Sequence, residues 1–229
     1  MICTIKTLDF QNMKYALSAK GKQWRVGEVI DICFLEGNIS QKEFVKLAAQ
    51  EWTQYANIKL KWDAPQDQSD VRITFRENMG SWSYVGTDSL FITPQNATMN
   101  FGWLDKSTVL HEFGHMLGLL HEHQNPDGGI IWNESEVLRN LSGPPNNWSE
   151  DMIRHNVLNK VLPNTTNGTK FDPNSVMLYF FPGAWTSTGK GTKQNNSLSD
   201  IDKQYISQLY PFPNKTIQNK KNLFKRIFG

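Results

Sequence analysis

The order of elements along the chain predicts an α+β fold. Three stretches alternate apolar and polar residues with the period of a half-buried strand: 29–35, through Ile30, Ile32 and Phe34; 58–62, through Ile58, Leu60 and Trp62; and 71–75, through Val71, Ile73 and Phe75. Two others, 40–56 and 105–117, space their apolar residues as a helix does. Beyond about residue 124 these patterns thin out and turn residues take over, so the C-terminal part is expected to be largely irregular. These changes divide the chain into an N-terminal extension (1–22), one globular domain (23–212) and a basic tail (213–229).

Each element has its local reason. Residues 1–22 show little pattern and suit a leader, a pro-segment or an extra strand. Gly37 and Asn38 end the first strand. Ser40, with Glu43 three residues on, predicts a capped helix start, and Phe44, Val45, Leu47, Ala48, Trp52 and Tyr55 give that helix an apolar face to about Ala56. The segment 80–86 reads as turn, and 97–103 is short and β-prone. Asp105 or Ser107 then caps a helix carrying Val109, Leu110, Phe113, Met116 and Leu117 into the core. Residues 149–162 are expected to be helical and 200–209 to form a closing helix, ended by Pro211.

The chemistry lies in residues 111–121, His-Glu-Phe-Gly-His-Met-Leu-Gly-Leu-Leu-His. His111 and His115 are four apart, so on a helix both imidazoles share one face and can bind one metal ion. Gly118 permits a positive φ and a sharp turn, after which His121 can return as a third ligand. Three histidines with a free coordination position make an open zinc site of catalytic type. Glu112 stands beside the first ligand as the candidate general base. Only five histidines occur in the chain, and three hold these offsets, which a chance helix pattern would not give. His123 is expected to point elsewhere, His155, on a polar helix, to be a surface residue, and Glu122 can be read as a solvent-facing carboxylate.

With Glu122 after the third histidine, and the later run Ser175-Val176-Met177-Leu178-Tyr179, the chain resembles the astacin-like metzincins over roughly residues 24–211. Leu198-Ser199-Asp200-Ile201-Asp202 with Tyr205 and Ile206 is similar to the closing helix of those domains. The resemblance implies a twisted mixed sheet with helices in an N-terminal subdomain, a zinc helix at the cleft and an irregular C-terminal subdomain. It implies one catalytic Zn2+, Met177 in a methionine turn beneath the metal, and Tyr179 as a further zinc ligand and catalytic donor. It also implies that Ala97, Thr98, Met99, Asn100 and Phe101 form the sheet's edge strand and bind substrate by strand addition. In mature astacins the Glu122 counterpart interacts with the freed N-terminus. Metzincin pro-segments often block the zinc with cysteine or aspartate, for which Cys3 and Asp9 qualify by residue type alone.

Composition bounds the rest. A net charge of +2 gives no general affinity for nucleic acid, and no apolar run is long enough to cross a membrane. The charge is uneven: residues 213–229 hold five bases and no acid, leaving 19 bases against 22 acids elsewhere. In that tail Leu223, Phe224, Ile227 and Phe228 would share one helix face, so it either packs back on the domain or makes weak contact with an anionic membrane or acidic partner. Two cysteines, Cys3 and Cys33, are expected as thiols, with a Cys3–Cys33 bridge as the alternative, unlike the disulfide-bonded animal astacins and more like a bacterial relative. The N-terminus lacks the apolar core of a Sec-type signal, so the chain is expected to be cytoplasmic as made or exported by another route. The sequence thus predicts a monomeric zinc endopeptidase acting on proteins or peptides. Its rivals are a zinc-binding module that recognises protein without cutting it, and a delivered effector in which the basic tail matters most.

Overall fold

The strand and helix patterns fold as a mixed sheet backed by two helices, above a lower region of short helices and loops. A computed structural model describes residues 4–6, 21–144, 146–160 and 170–213. Cys3, Asp9 and the tail beyond Pro213 lie outside the described residues.

The sheet has six strands: β1 (Thr4–Lys6), β2 (Val29–Phe34), β3 (Lys59–Lys61), β4 (Val71–Thr74), β5 (Trp82–Tyr84) and β6 (Met99–Asn100), in spatial order β1-β5-β6-β4-β2-β3. β2 lies between β3 and β4, parallel to both, with Ile30 opposite Leu60 and Ile32 opposite Val71. β6 runs parallel to β4 and antiparallel to β5, and β1 adds to β5 in parallel.

This pairing corrects one expectation. Residues 97–101 are not the edge of the sheet, because β6 has a strand on each side. Thr98, Met99, Asn100 and Phe101 are all buried. The Asn100 side chain is spent inside the sheet: its Nδ2 donates to the Arg76 and Gly80 carbonyls, while its Oδ1 accepts from Arg76 N and Thr74 Oγ1. The antiparallel strand beyond it is β5, within the segment read as turn, and β1 occupies β5's outer edge. Three residues, Trp-Ser-Tyr, between glycines and serines are too short to show a period.

Helix α1 (Ile39–Ala49) is capped two residues before the expected Ser40. Asn38 Oδ1 accepts from Gln41 N while Gln41 Oε1 accepts from Asn38 N, both at 2.9 Å, which makes Asn38 the cap in place of Ser40. Helix α2 (Lys106–Met116) is capped by Asp105, whose carboxylate accepts from Thr108 N (2.8 Å) and Thr108 Oγ1 (3.1 Å). Aromatic donors from three separate segments hold α2 and its C-terminal end: Trp52 Nε1 donates to Leu110 O, Trp24 Nε1 to Met116 O and Tyr210 Oη to Leu117 O. The last two satisfy carbonyls that the end of a helix leaves without partners.

Below α2 lie α3 (Glu134–Ser142), absent from the sequence reading, and α4 (Glu150–Ile153). The helix expected over 149–162 widens after α4 into a π turn over residues 154–158. Helix α5 (Asp200–Leu209) closes the domain as expected. Buried side chains form two cores. One joins sheet, α1, α2, α5, Val176 and Met177; the other joins α3, α4, Leu178, Tyr179, Phe181 and Trp185. The segment 176–179 therefore passes from one core into the other.

Asp202 fixes that crossing. Its Oδ1 accepts from Ser175 Oγ (2.7 Å), and its Oδ2 accepts from Val176 N (2.9 Å) and Ser199 N (3.0 Å). Burial raises its pKa, and these hydrogen bonds oppose the rise. Asp202→Ala strands three donors and is expected to lower unfolding free energy by about 2–4 kcal/mol in urea titration. A value within about 0.5 kcal/mol of wild type, the range of an ordinary surface change, would remove Asp202 from this role.

Candidate metal centre

Three imidazoles meet at the seam between the cores. His111 and His115 lie one turn apart on α2, and their ring centroids are 4.6 Å apart. Gly118 then takes φ +93°, a left-handed conformation that costs a side-chain-bearing residue free energy, and the chain turns sharply after the helix. His121 returns so that its Nε2 lies 3.1 Å from His115 Nε2, which is itself 3.0 Å from His111 Nε2. Among the described residues these three form the one group of histidine, cysteine or acidic side chains placed to share an ion. All three are buried.

The hydrogen bonds fix which nitrogen faces inward. His111 Nδ1 donates to Val176 O at 2.9 Å and His115 Nδ1 donates to Leu119 O at 2.8 Å. Each Nε2 is then a lone pair, and two lone pairs 3.0 Å apart repel unless a cation lies between them. Tetrahedral zinc with Zn–N of ~2.0–2.1 Å would set its ligands roughly 3.3 Å apart, close to the spacing found. The donor set is therefore right for zinc. Burial keeps the rings neutral, as metal ligands must be: it pushes His111 down to about 4, and it holds His115 and His121 well below the usual histidine value.

The other candidates surround this group. Glu112 is fully buried beside His111 on α2. Met177 lies under the helix, where its Sδ fills the space that a Cβ on Gly114 would need. The Tyr179 ring lies 4.1 Å from the His121 ring and 5.2 Å from the His111 ring. Its backbone is pinned by Thr192, whose Oγ1 donates to Tyr179 O and accepts from Phe181 N. Residues 97–101 belong to the interior of the sheet, as described above.

Two neighbours differ from a surface reading. Glu122 is buried, and its Oε1 accepts from Asp172 N (2.8 Å) and Asn125 Nδ2 (3.0 Å). Burial pushes its carboxyl up to about 8. His123 points away from the metal group as expected, donating from Nε2 to Asn156 O at 3.0 Å. Its ring nevertheless stacks on Tyr179, 4.9 Å between centroids, and so backs the site. His155 is half-buried, not a surface residue. Cys33 is a buried free thiol with Sγ 3.2 Å from Ser69 Oγ.

The sequence reading missed the support behind the ligands. Asp202 holds Val176 N, and the Val176 carbonyl holds His111. The residue three before it, Ser199, caps α5 with Asp202 as its reciprocal partner, a pattern visible in the sequence. Its reach to Ser175 and Val176 is not visible there, since those partners lie 27 and 26 residues away.

Comparison with known proteins agrees with this geometry. The family profile Astacin, a peptidase family, matches residues 16–211. Zinc metalloproteinase nas-30 of Caenorhabditis elegans is 26% identical over 208 residues, covering 83% of this chain and 25% of its own length. Zinc metalloproteinase nas-36 of Brugia malayi is 33% identical over 105 residues, covering 46% of this chain and 16% of its own. The chain thus spans a quarter or less of these two relatives. Myroilysin superposes with a TM-score of 0.81 at 36% identity, covering 86% of this chain and 99% of that structure. The medaka (Oryzias latipes) hatching enzyme HCE-1 shares the fold at 17% identity and a TM-score of 0.58. A profile running through most of the described chain, and a solved structure matched nearly end to end, show that this chain belongs to the astacin family of peptidases.

Proposed function

We propose that this chain is a zinc-dependent endopeptidase that hydrolyses peptide bonds in protein or peptide substrates. One observation carries the reading: three imidazoles bring their Nε2 atoms together beside a buried carboxylate on the helix that carries two of them. The names of its relatives, zinc metalloproteinases, support it. His111, His115 and His121 would hold one Zn2+, with Tyr179 as a further oxygen donor. When bound, zinc supplies Lewis acidity, making a water acidic near neutral pH and polarising a carbonyl.

The protein's own groups do the rest. Glu112 takes a proton from the attacking water and later hands it to the leaving amine. It is fully buried next to His111 on α2, which places it beside the metal group. The Tyr179 hydroxyl donates to the oxyanion that develops on the carbonyl. Met177 keeps an apolar floor under the ligands, a role suited to a thioether that binds zinc poorly beside imidazole. A peptide adding a strand to the sheet would pair with β5 rather than with β6, and β1 must first leave that edge.

Casein digestion tests the reading. The full chain, and a chain beginning at Gly21, are incubated with casein with and without a chelator. Cleavage that the chelator abolishes and zinc restores is expected in at least one. Glu112→Gln should keep zinc and fold while losing at least about 100-fold in kcat/KM, the scale of a positioned acid–base group. Chelator-resistant cleavage, or a fully active Glu112→Gln protein, would contradict the proposal.

Tyr179→Phe separates the hydroxyl from the ring. The ring's packing against His121 and His123 should survive. Loss of one transition-state donor should lower kcat by roughly 10–1000-fold with little change in KM. Wild-type kcat would make Tyr179 a packing residue only.

A further inference from the structure

Beside His111, between the start of α2 and the segment after Met177, lies a cavity of about 240 Å3. Its wall includes His111 itself, so whatever enters it adjoins the position of the reacting carbonyl. Trp103, Val176, Leu178 and Phe180 make its apolar part. Asp105, Ser107, Gln194 and Asn195 make most of its polar part.

The polar wall presents acceptors. Asn195 spends both amide hydrogens on protein carbonyls, Nδ2 donating to Pro173 O (3.0 Å) and Ser175 O (2.9 Å). Its Oδ1 is the group left for a ligand. Gln194 Nε2 donates to Ser107 Oγ at 3.1 Å, which turns that amide toward the helix as well. Asp105 adds a carboxylate, held in place by the two Thr108 donors that make it the α2 cap. No lysine or arginine is among the described residues lining the cavity. Lys106, the next residue in sequence, is engaged by Glu51 at 2.7 Å.

An aliphatic stem would lie along Leu178 and Phe180, and a donor-rich cationic tip would meet Asp105 and the Asn195 carbonyl. An aspartate or glutamate there would bring a second negative charge beside Asp105, and no lysine or arginine among the described lining residues offsets it. We propose that this cavity takes the substrate side chain flanking the scissile bond, selects lysine or arginine there, and rejects aspartate and glutamate. The inference rests on the endopeptidase reading above and names the substrates that such an enzyme would prefer.

Two measurements on the full chain test it. In the first, the wild-type protein digests a proteome-derived peptide library and mass spectrometry reads the cut sites. Lysine and arginine should be enriched on the order of threefold at one position flanking the bond, a bias of well under one tenfold step in affinity, with aspartate and glutamate depleted there. The second needs no cleavage. Glu112→Gln protein binds fluorescent alanine peptides with lysine, methionine or glutamate at the centre, followed by anisotropy. The lysine peptide should bind on the order of tenfold more tightly than the glutamate peptide. Adding Asp105→Asn, which keeps a good helix cap but removes the charge, should shrink that ratio severalfold. An acidic preference, an absence of charge preference, or a ratio unmoved by Asp105→Asn overturns the proposal. Lysine-selective binding with no cleavage by the wild type would leave the cavity assignment standing and defeat the endopeptidase reading. Casein cleavage without charge preference would do the reverse.

Discussion

Two backbone carbonyls set the chemistry of this protein. Val176 O and Leu119 O each accept a hydrogen bond from the Nδ1 of a helix-borne histidine and so turn both Nε2 lone pairs inward. Left to water, each imidazole would choose its tautomer and rotamer freely, and burying two facing lone pairs would be unfavourable. Fixed as they are, they make a cation the natural occupant of the space between them. Leu119 reaches its place through the turn at Gly118, and Val176 through the crossing segment held by Asp202. Helix, turn and closing helix thus serve one purpose, which is to hold two carbonyls against two rings.

The division into two cores explains why the site lies where it does. Val176 and Met177 pack with the sheet and α2, whereas Leu178 and Tyr179 pack with α3 and α4. Ligand rings therefore come from the upper core and the phenol from the lower one. Met177 Sδ fills the space beside Gly114, so a methyl group there would force the Met177 side chain to shift. The proposed selectivity cavity opens from the same seam, and its apolar wall is the outer side of the same crossing segment.

Much of this was legible in the sequence, and the exceptions have physical causes. The three histidines and Glu112 were readable because helical geometry puts His111 and His115 on one face, with Glu112 beside the first, and Gly118 lets the chain bring His121 back within eleven residues. The place of the Tyr179 ring beside His111 and His121 could be expected only from the spacing of a known motif. The edge strand was misassigned because strand order is a matter of non-local pairing: Met99 and Asn100 look as β-prone as an edge, but β4 and β5 claim both of their sides. Helix α3 went unseen because Val137, Leu138 and Leu141 are few, and they follow a turn-rich stretch that lowered the expectation of helix. Glu122 looked like a surface carboxylate, since nothing in its sequence neighbourhood announces Asp172 N, fifty residues on, as its partner.

Zinc X-ray absorption on the purified full chain tests the carbonyl-fixed imidazole site most directly. The account predicts one zinc per chain with three imidazole nitrogens at ~2.0–2.1 Å in its first shell. It further predicts that His121→Ala removes one of them or loses the metal. A first shell with fewer than three imidazole nitrogens in the wild-type protein, or a spectrum unchanged by His121→Ala, would contradict it.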